Sequence, residues 1–211
     1  MGRPTRADHR GGIFHVIARG NNKEYIFRDG KDKGYFISIL KKNCETMVCK
    51  IYGFVLMNNH YHILIQTMDK KMQEIMHKVN TIYSKYYNLR YERVGHVFQE
   101  RYKSSIIQDE YYMYNVLRYI HHNPVKAGIC DKVLDYEWCS DKYYRKQIDE
   151  FVDTSLIMNM LSSHISDARQ KYVFLWINIT IQVMRNRTLL AMQLLGLCIR
   201  VGKKKFIIEN H

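Results

Sequence analysis

The sequence predicts an α+β fold in which a mainly antiparallel sheet carries helices on one face, the split βαβ or ferredoxin-like arrangement. Two observations carry that expectation. Stretches with the two-residue alternation of strands and stretches with helical spacing follow one another as strand, helix, strand, strand, helix, strand between residues 13 and 107. The two middle strands are separated by Asn58-Asn59, a dipeptide suited to a tight turn, so they read as a hairpin.

Taken in order, residues 1–10 hold Arg3, Arg6 and Arg10 with no apolar period and read as a basic arm. Gly11-Gly12 punctuates, Ile13 to Arg19 alternates as a first strand, and Gly20-Asn21-Asn22 ends it. After Asp29, Tyr35, Phe36, Ile39 and Leu40 have helical period to about Cys44. The hairpin pairs an apolar run at Ile51 to Met57 with a second at Tyr61 to Ile65. From Lys70 to Arg90 a stripe of Met72, Ile75, Met76, Val79, Ile82, Tyr83 and Tyr86 marks a long amphipathic helix whose stripe is core. Val97 to Ile107 reads as one further strand, with Arg101 and Lys103 spaced to share a face. Asp109 can cap a third helix running through His122, which Asn123-Pro124 should close, because the residue before proline disfavours the helical region. Tyr136-Glu137-Trp138 looks like an aromatic anchor. Beyond it, Leu156, Met160 and Leu161, then Phe174 to Val183, then Leu189 to Ile199 suggest two or three further helices or strand-like runs. The organisation predicted is an arm over 1–10, a main domain over 11–150 and a mainly helical C-terminal extension over 151–211 without an assigned role.

Composition narrows the class of partner. With 33 Lys and Arg against 20 Asp and Glu, the net charge is +13, which suits a polyanion, and 17 tyrosines offer flat surfaces on which bases can stack. The five cysteines, at 44, 49, 130, 139 and 198, contain no Cys-x-x-Cys pair and are odd in number. Neither a zinc knuckle nor a complete disulfide framework fits, and a reducing cytoplasm is the simpler setting. No apolar signal core and no uncharged apolar run of about 18 residues is present, so no membrane association is expected.

The stretch Met57-Asn58-Asn59-His60-Tyr61-His62-Ile63-Leu64-Ile65-Gln66 carries the chemistry. On a strand, His60 and His62 share one face while Tyr61, Ile63 and Ile65 take the other. Two imidazoles so placed can present neutral nitrogens to one metal ion; the spacing by itself fits two ordinary sheet histidines equally well. In a basic, tyrosine-rich chain the pair suggests phosphodiester chemistry, in which a cation neutralises the scissile phosphate and a side-chain oxygen attacks. Tyr119 and Asn123, four apart on the third helix, offer a phenol beside an amide oxygen able to act as a third ligand. Tyr111, Tyr112 and Tyr114 compete for the nucleophile's role, and packing alone would account for any of the four.

Five motifs in order closely resemble those of the REP-associated tyrosine transposases, members of the single-tyrosine HUH transposases of insertion sequences. They are Arg19-Gly20-Asn21-Asn22, Met57 to His62, Gly95-His96-Val97-Phe98-Gln99, Arg101-Tyr102, and Arg118 to Gly128, spread over residues 11 to about 145. The resemblance implies the HUH endonuclease architecture and an enzyme that cleaves and rejoins single-stranded DNA near hairpins through a 5′-phosphotyrosine link, in the cytoplasm and on the nucleoid. It makes His60 and His62 the metal-binding pair, Asn123 a further ligand and Tyr119 the nucleophile, with Mg2+ or Mn2+ as cofactor. By the same analogy Arg3, Arg6, Arg10, Arg101, Lys103 and Lys126 would hold the DNA backbone. Asn58 and Glu100 depart from the residues common in such relatives, and neither removes a catalytic group. Whether one chain or a helix-exchanging homodimer builds the site is left open. A replication or transfer nickase using the same residues, or a catalytically silent nucleic-acid-binding module, is the alternative. Metal affinity is expected to fall as pH drops below about 6.5.

Overall fold

The computed structural model describes residues 10–146 and 151–174. Four strands, β1 (Ile13–Arg19), β2 (Cys49–Leu56), β3 (His60–Thr67) and β4 (Lys103–Ile106), form one sheet in the order β2-β3-β1-β4. Every neighbouring pair is antiparallel. Helix α1 (Gly30–Met47) joins β1 to β2, and α2 (Met72–Arg90) joins β3 to β4. Strand order and connections are those of the predicted split βαβ plan.

Alternation along β3 decides which side each helix covers. Tyr61, Ile63 and Ile65 share a face with their partners Ala18, Val16 and Phe14, and all six are buried. On that face Phe36 of α1 lies 4.8 Å from Tyr61 between ring centroids, and the Tyr61 hydroxyl donates to Asn80 Oδ1 of α2 at 2.8 Å. The α2 stripe of Met72, Ile75, Met76, Val79 and Tyr83 is buried there, as its spacing implies. Helices α1 and α2 are also stitched together by charge, since buried Asp32 accepts from Arg90 and from the Tyr91 hydroxyl.

The opposite face is not bare. Helix α3 (Glu110–Lys126) lies across it against β2 and β3, so the expectation of helices on one face holds for α1 and α2 but not for α3. A glycine makes the close approach feasible: a Cβ on Gly53 would collide with Leu117 Cδ1. Behind α3, the Ser140 hydroxyl, His121, Tyr172 and Asp141 form a buried polar chain, with His121 Nε2 2.7 Å from Ser140 Oγ and Tyr172 donating to Asp141 at 2.6 Å. Two shorter helices, α4 (Asp141–Lys146) and α5 (Ser155–Leu161), follow, and residues 165–174 are helical. Val152, Ile157, Met158, Ala168 and Tyr172 join the one core. The runs expected from residue 175 onward lie outside the described residues.

Two further boundaries differ from the sequence reading. Pro124 does not stop α3, which continues to Lys126. Proline lacks its N–H and its ring crowds the preceding turn, yet burial of Pro124 and Val125 holds the last turn until Gly128, at φ +74°, ends it. The single strand expected over residues 97–107 is two pieces. Residues 97–99 pair with the end of β1 through Asn21 N to Val97 O and Gln99 N to Arg19 O, both 2.9 Å, and the chain leaves the ladder over 100–102 before β4. Cys44 and Cys49 are joined across the end of α1, where Val48 takes a left-handed conformation. The Tyr136 to Trp138 anchor is real: Tyr136 donates to Leu56 O at 2.7 Å, and Leu56 N donates to Trp138 O at 3.0 Å. Among the described residues no helix is long and apolar enough to cross a membrane.

Candidate active site

The face beneath α3 carries the two histidines. His60 opens β3, opposite Arg19 of β1, and His62 stands two residues on, opposite Ile17, so both point to the side that α3 covers. Their ring centroids are 5.1 Å apart. His62 is buried and His60 half-buried. Each has one ring nitrogen engaged: His60 Nδ1 meets Asn59 Oδ1 at 2.6 Å, and His62 Nδ1 meets His15 Nε2 at 3.0 Å. In each imidazole the ε nitrogen is then the one left for a ligand.

Helix α3 brings the phenol. Asp109 caps the helix by accepting from Tyr112 N at 2.7 Å, and the amphipathic spacing turns Met113, Val116, Leu117 and Ile120 inward. Tyr119 falls on the flank facing the histidines, its ring edge-on to His62 at 5.3 Å and to His15 at 6.1 Å. It stays 41% exposed, so a large substrate can reach it. Tyr112 lies on the same side of α3 but seven residues earlier, about 10 Å along the axis, and Tyr111 is 79% exposed. Of the four candidate tyrosines, only Tyr119 has its ring against His62.

Asn123, one turn on, donates through Nδ2 to Tyr119 O at 2.9 Å, which leaves Oδ1 as an uncommitted acceptor. Among the described residues no three His, Cys, Asp or Glu side chains converge as a metal-ligand set. The donor set of two imidazole ε nitrogens and an amide oxygen fits a divalent cation that keeps water or substrate in its other positions. Lys126 completes the flank, its Nζ 5.2 Å from the Tyr119 ring centroid.

Burial sets the charge state of these groups. Desolvation, aided by His15 and His60, pushes His62 down to about 2, and desolvation pushes His15 down to about 4. His60 is also lowered, by burial first and by the Arg19 guanidinium second. All three imidazoles are therefore neutral at pH 7, the form a metal requires.

The cationic candidates are spread more widely. Lys103 pairs with Ile17, which pairs with His62, so it shares the histidine face two strands away, about 10 Å, where it is exposed and ion-paired with Glu100 at 3.0 Å. Arg101 sits where the chain leaves the ladder and lines a groove of about 700 Å3 between α2 and residues 95–103. Arg10 is exposed at the opposite end of the sheet from His60, about 20 Å away along β1, and does not join the site. Arg3 and Arg6 lie outside the described residues. The sequence reading missed two members of the site, His15 and Arg19. Both were on a recognised strand, but only the β1–β3 register sets them opposite Leu64 and His60 and so against the pair.

A family model described as "Transposase IS200 like" matches residues 10–123. Among solved structures, one of the REP-associated tyrosine transposase bound to a REP hairpin superposes with a TM-score of 0.59 at 15% identity, covering 73% of this chain and 90% of that one. That likeness establishes the fold. A protein from Deinococcus radiodurans R1 assigned as a transposase superposes with a TM-score of 0.40 at 12% identity, over 58% of this chain and 95% of that one, too low to add weight. A comparison with curated proteins finds no match.

Proposed function

Because the chain belongs to the IS200-like transposase family, we propose that it cleaves and rejoins single-stranded DNA beside hairpins through a 5′-phosphotyrosine intermediate. The observation that carries this reading is the exposed Tyr119 phenol set edge-on against His62, with His60, Asn123 and Lys126 around it. The REP hairpin held by the similar solved structure supports the choice of DNA form.

His60 and His62, through their ε nitrogens, and Asn123, through Oδ1, would hold Mg2+ or Mn2+. Bound there, such an ion supplies charge neutralisation at a scissile phosphate. The chain's own groups do the rest. Tyr119 gives up its phenol proton as it attacks, with the Lys126 ammonium 5.2 Å from its ring centroid. Its oxygen bonds to phosphorus, and the 3′-oxygen of the preceding nucleotide leaves, taking up a proton to become a 3′-hydroxyl. The tyrosyl phosphodiester keeps the bond energy, so a 3′-hydroxyl can later attack it and return the phenol without an external energy source. Arg19 beside His60, and Lys103 on the same face, hold flanking phosphates.

Incubation with 3′-labelled single-stranded DNA bearing a hairpin, in Mn2+, tests this on a denaturing gel. Wild type should retain label, and Tyr119→Phe, which keeps the ring and removes one oxygen, should lose cleavage and adduct together while still binding DNA. Label mapped to Tyr111, Tyr112 or Tyr114 in that variant would move the nucleophile. Wild type giving neither cleavage nor adduct on hairpin substrates would favour a silent binding module.

A further inference from the structure

We infer that His15 is a positioning residue for the metal site: by accepting the Nδ1–H of His62 through its own Nε2, it fixes the tautomer and the ring plane in which His62 offers Nε2. The direction of this hydrogen bond rests on the proposed metal chemistry, which needs the lone pair of His62 Nε2. The contact itself is geometric, a 3.0 Å nitrogen-to-nitrogen approach between two buried rings whose centroids are 5.2 Å apart and whose planes are inclined by 22°, close to the coplanar arrangement an in-plane N–H···N bond needs.

A hydrogen bond between two neutral imidazoles runs one way only. If His15 donated, His62 would carry its proton on Nε2 and have no lone pair there. If His62 donates, its Nε2 is a free base, and His15 must carry its own proton on Nδ1. His60 reaches the same state by another route, since the Asn59 carbonyl oxygen at 2.6 Å can only accept, which places the His60 proton on Nδ1. The two histidines of the pair are thus each held from behind by an acceptor on the δ side, Asn59 for one and His15 for the other. Outer partners of this kind fix ligand orientation, and losing one commonly weakens metal binding by about 10- to 100-fold.

His15 also faces Tyr119 edge-on at 6.1 Å, so a plain deletion would disturb the nucleophile's packing as well. Two variants separate the effects. His15→Phe keeps a ring and removes the acceptor, whereas His15→Gln restores an amide oxygen able to accept from Nδ1–H. In the full chain without DNA, calorimetry with Mn2+ should show His15→Phe weakened at least about tenfold and His15→Gln closer to wild type, while hairpin DNA binding in EDTA is the same for all three. Equal Mn2+ affinity in wild type and His15→Phe would overturn the inference, as would equal losses in the Phe and Gln variants. Nitrogen-15 NMR of the imidazoles decides the same point without metal: His62 should be protonated at Nδ1 in wild type, and protonation at Nε2 would overturn it. Should wild type bind no Mn2+, the metal part of the proposed function fails, and the NMR result still judges the role of His15.

Discussion

A histidine serves a metal only through an unprotonated nitrogen, so what burial does to His60 and His62 decides the pH range of the site. Both are held below the ordinary value of about 6.5, His62 as far as about 2, because the sheet and α3 remove the water that would stabilise a charged ring. The fall in metal affinity expected below pH 6.5 from the sequence alone therefore shifts to lower pH. A lowered value means that protons compete later: affinity is fully present above it and is lost as pH falls through it, at the half-exposed His60 before His62. We expect Mn2+ affinity measured by calorimetry to be the same at pH 7.5 and 6.5. A loss of about threefold over that interval, which two rings titrating near 6.5 would give, would show that the rings are protonated as freely as in water. The double substitution His60→Ala, His62→Ala should abolish binding at every pH.

At the scale of elements, the distance of α3 from the sheet governs whether Tyr119 meets the histidines. Gly53 is the contact that sets it. Gly53→Ala drives a methyl group into Leu117 Cδ1, the end of a fully buried side chain. We expect it to cost about 1–3 kcal/mol, as overpacking does, and to reduce adduct formation because α3 and Tyr119 are pushed outward. Adding Leu117→Ala should recover part of the adduct even though it opens the core. Recovery of stability without recovery of adduct would mean that α3 spacing is not what limits the chemistry. None of this was legible in the sequence, where Gly53 is one residue in an apolar run. What was legible followed from period: the pairing of β2 with β3, the shared face of His60 and His62, the buried stripe of α2, and Tyr119 one turn before Asn123. What failed depended on tertiary support, since burial of Val125 carries α3 past Pro124 and register alone brings His15 and Arg19 to the site.

For the molecule as a whole, the buried histidines link folding to pH. His121 and His122, on the inner side of α3, are each pushed down to about 4, chiefly by burial, and His15 and His62 are lowered beneath the same helix. In the unfolded chain these rings titrate near 6.5. Between pH 6.5 and about 4 the unfolded state thus binds more protons than the folded one, so stability rises with pH across that window. The contribution is complete above pH 6.5 and is lost as pH falls toward 4. For one fully buried ring such as His121, the loss at pH 5 is about 2 kcal/mol. Asp29 and Asp153, whose carboxyls are held below the usual range by Arg90 and by Ser155 and Lys50, lose their contribution only at lower pH. Their titration does not overlap most of the histidine window. We therefore expect the urea midpoint to drop markedly between pH 7.5 and 5.0, before carboxylate protonation begins in earnest. Equal midpoints at the two pH values would mean that water reaches these rings in the folded state, and the dry, neutral histidine face on which the site is built would have to be abandoned.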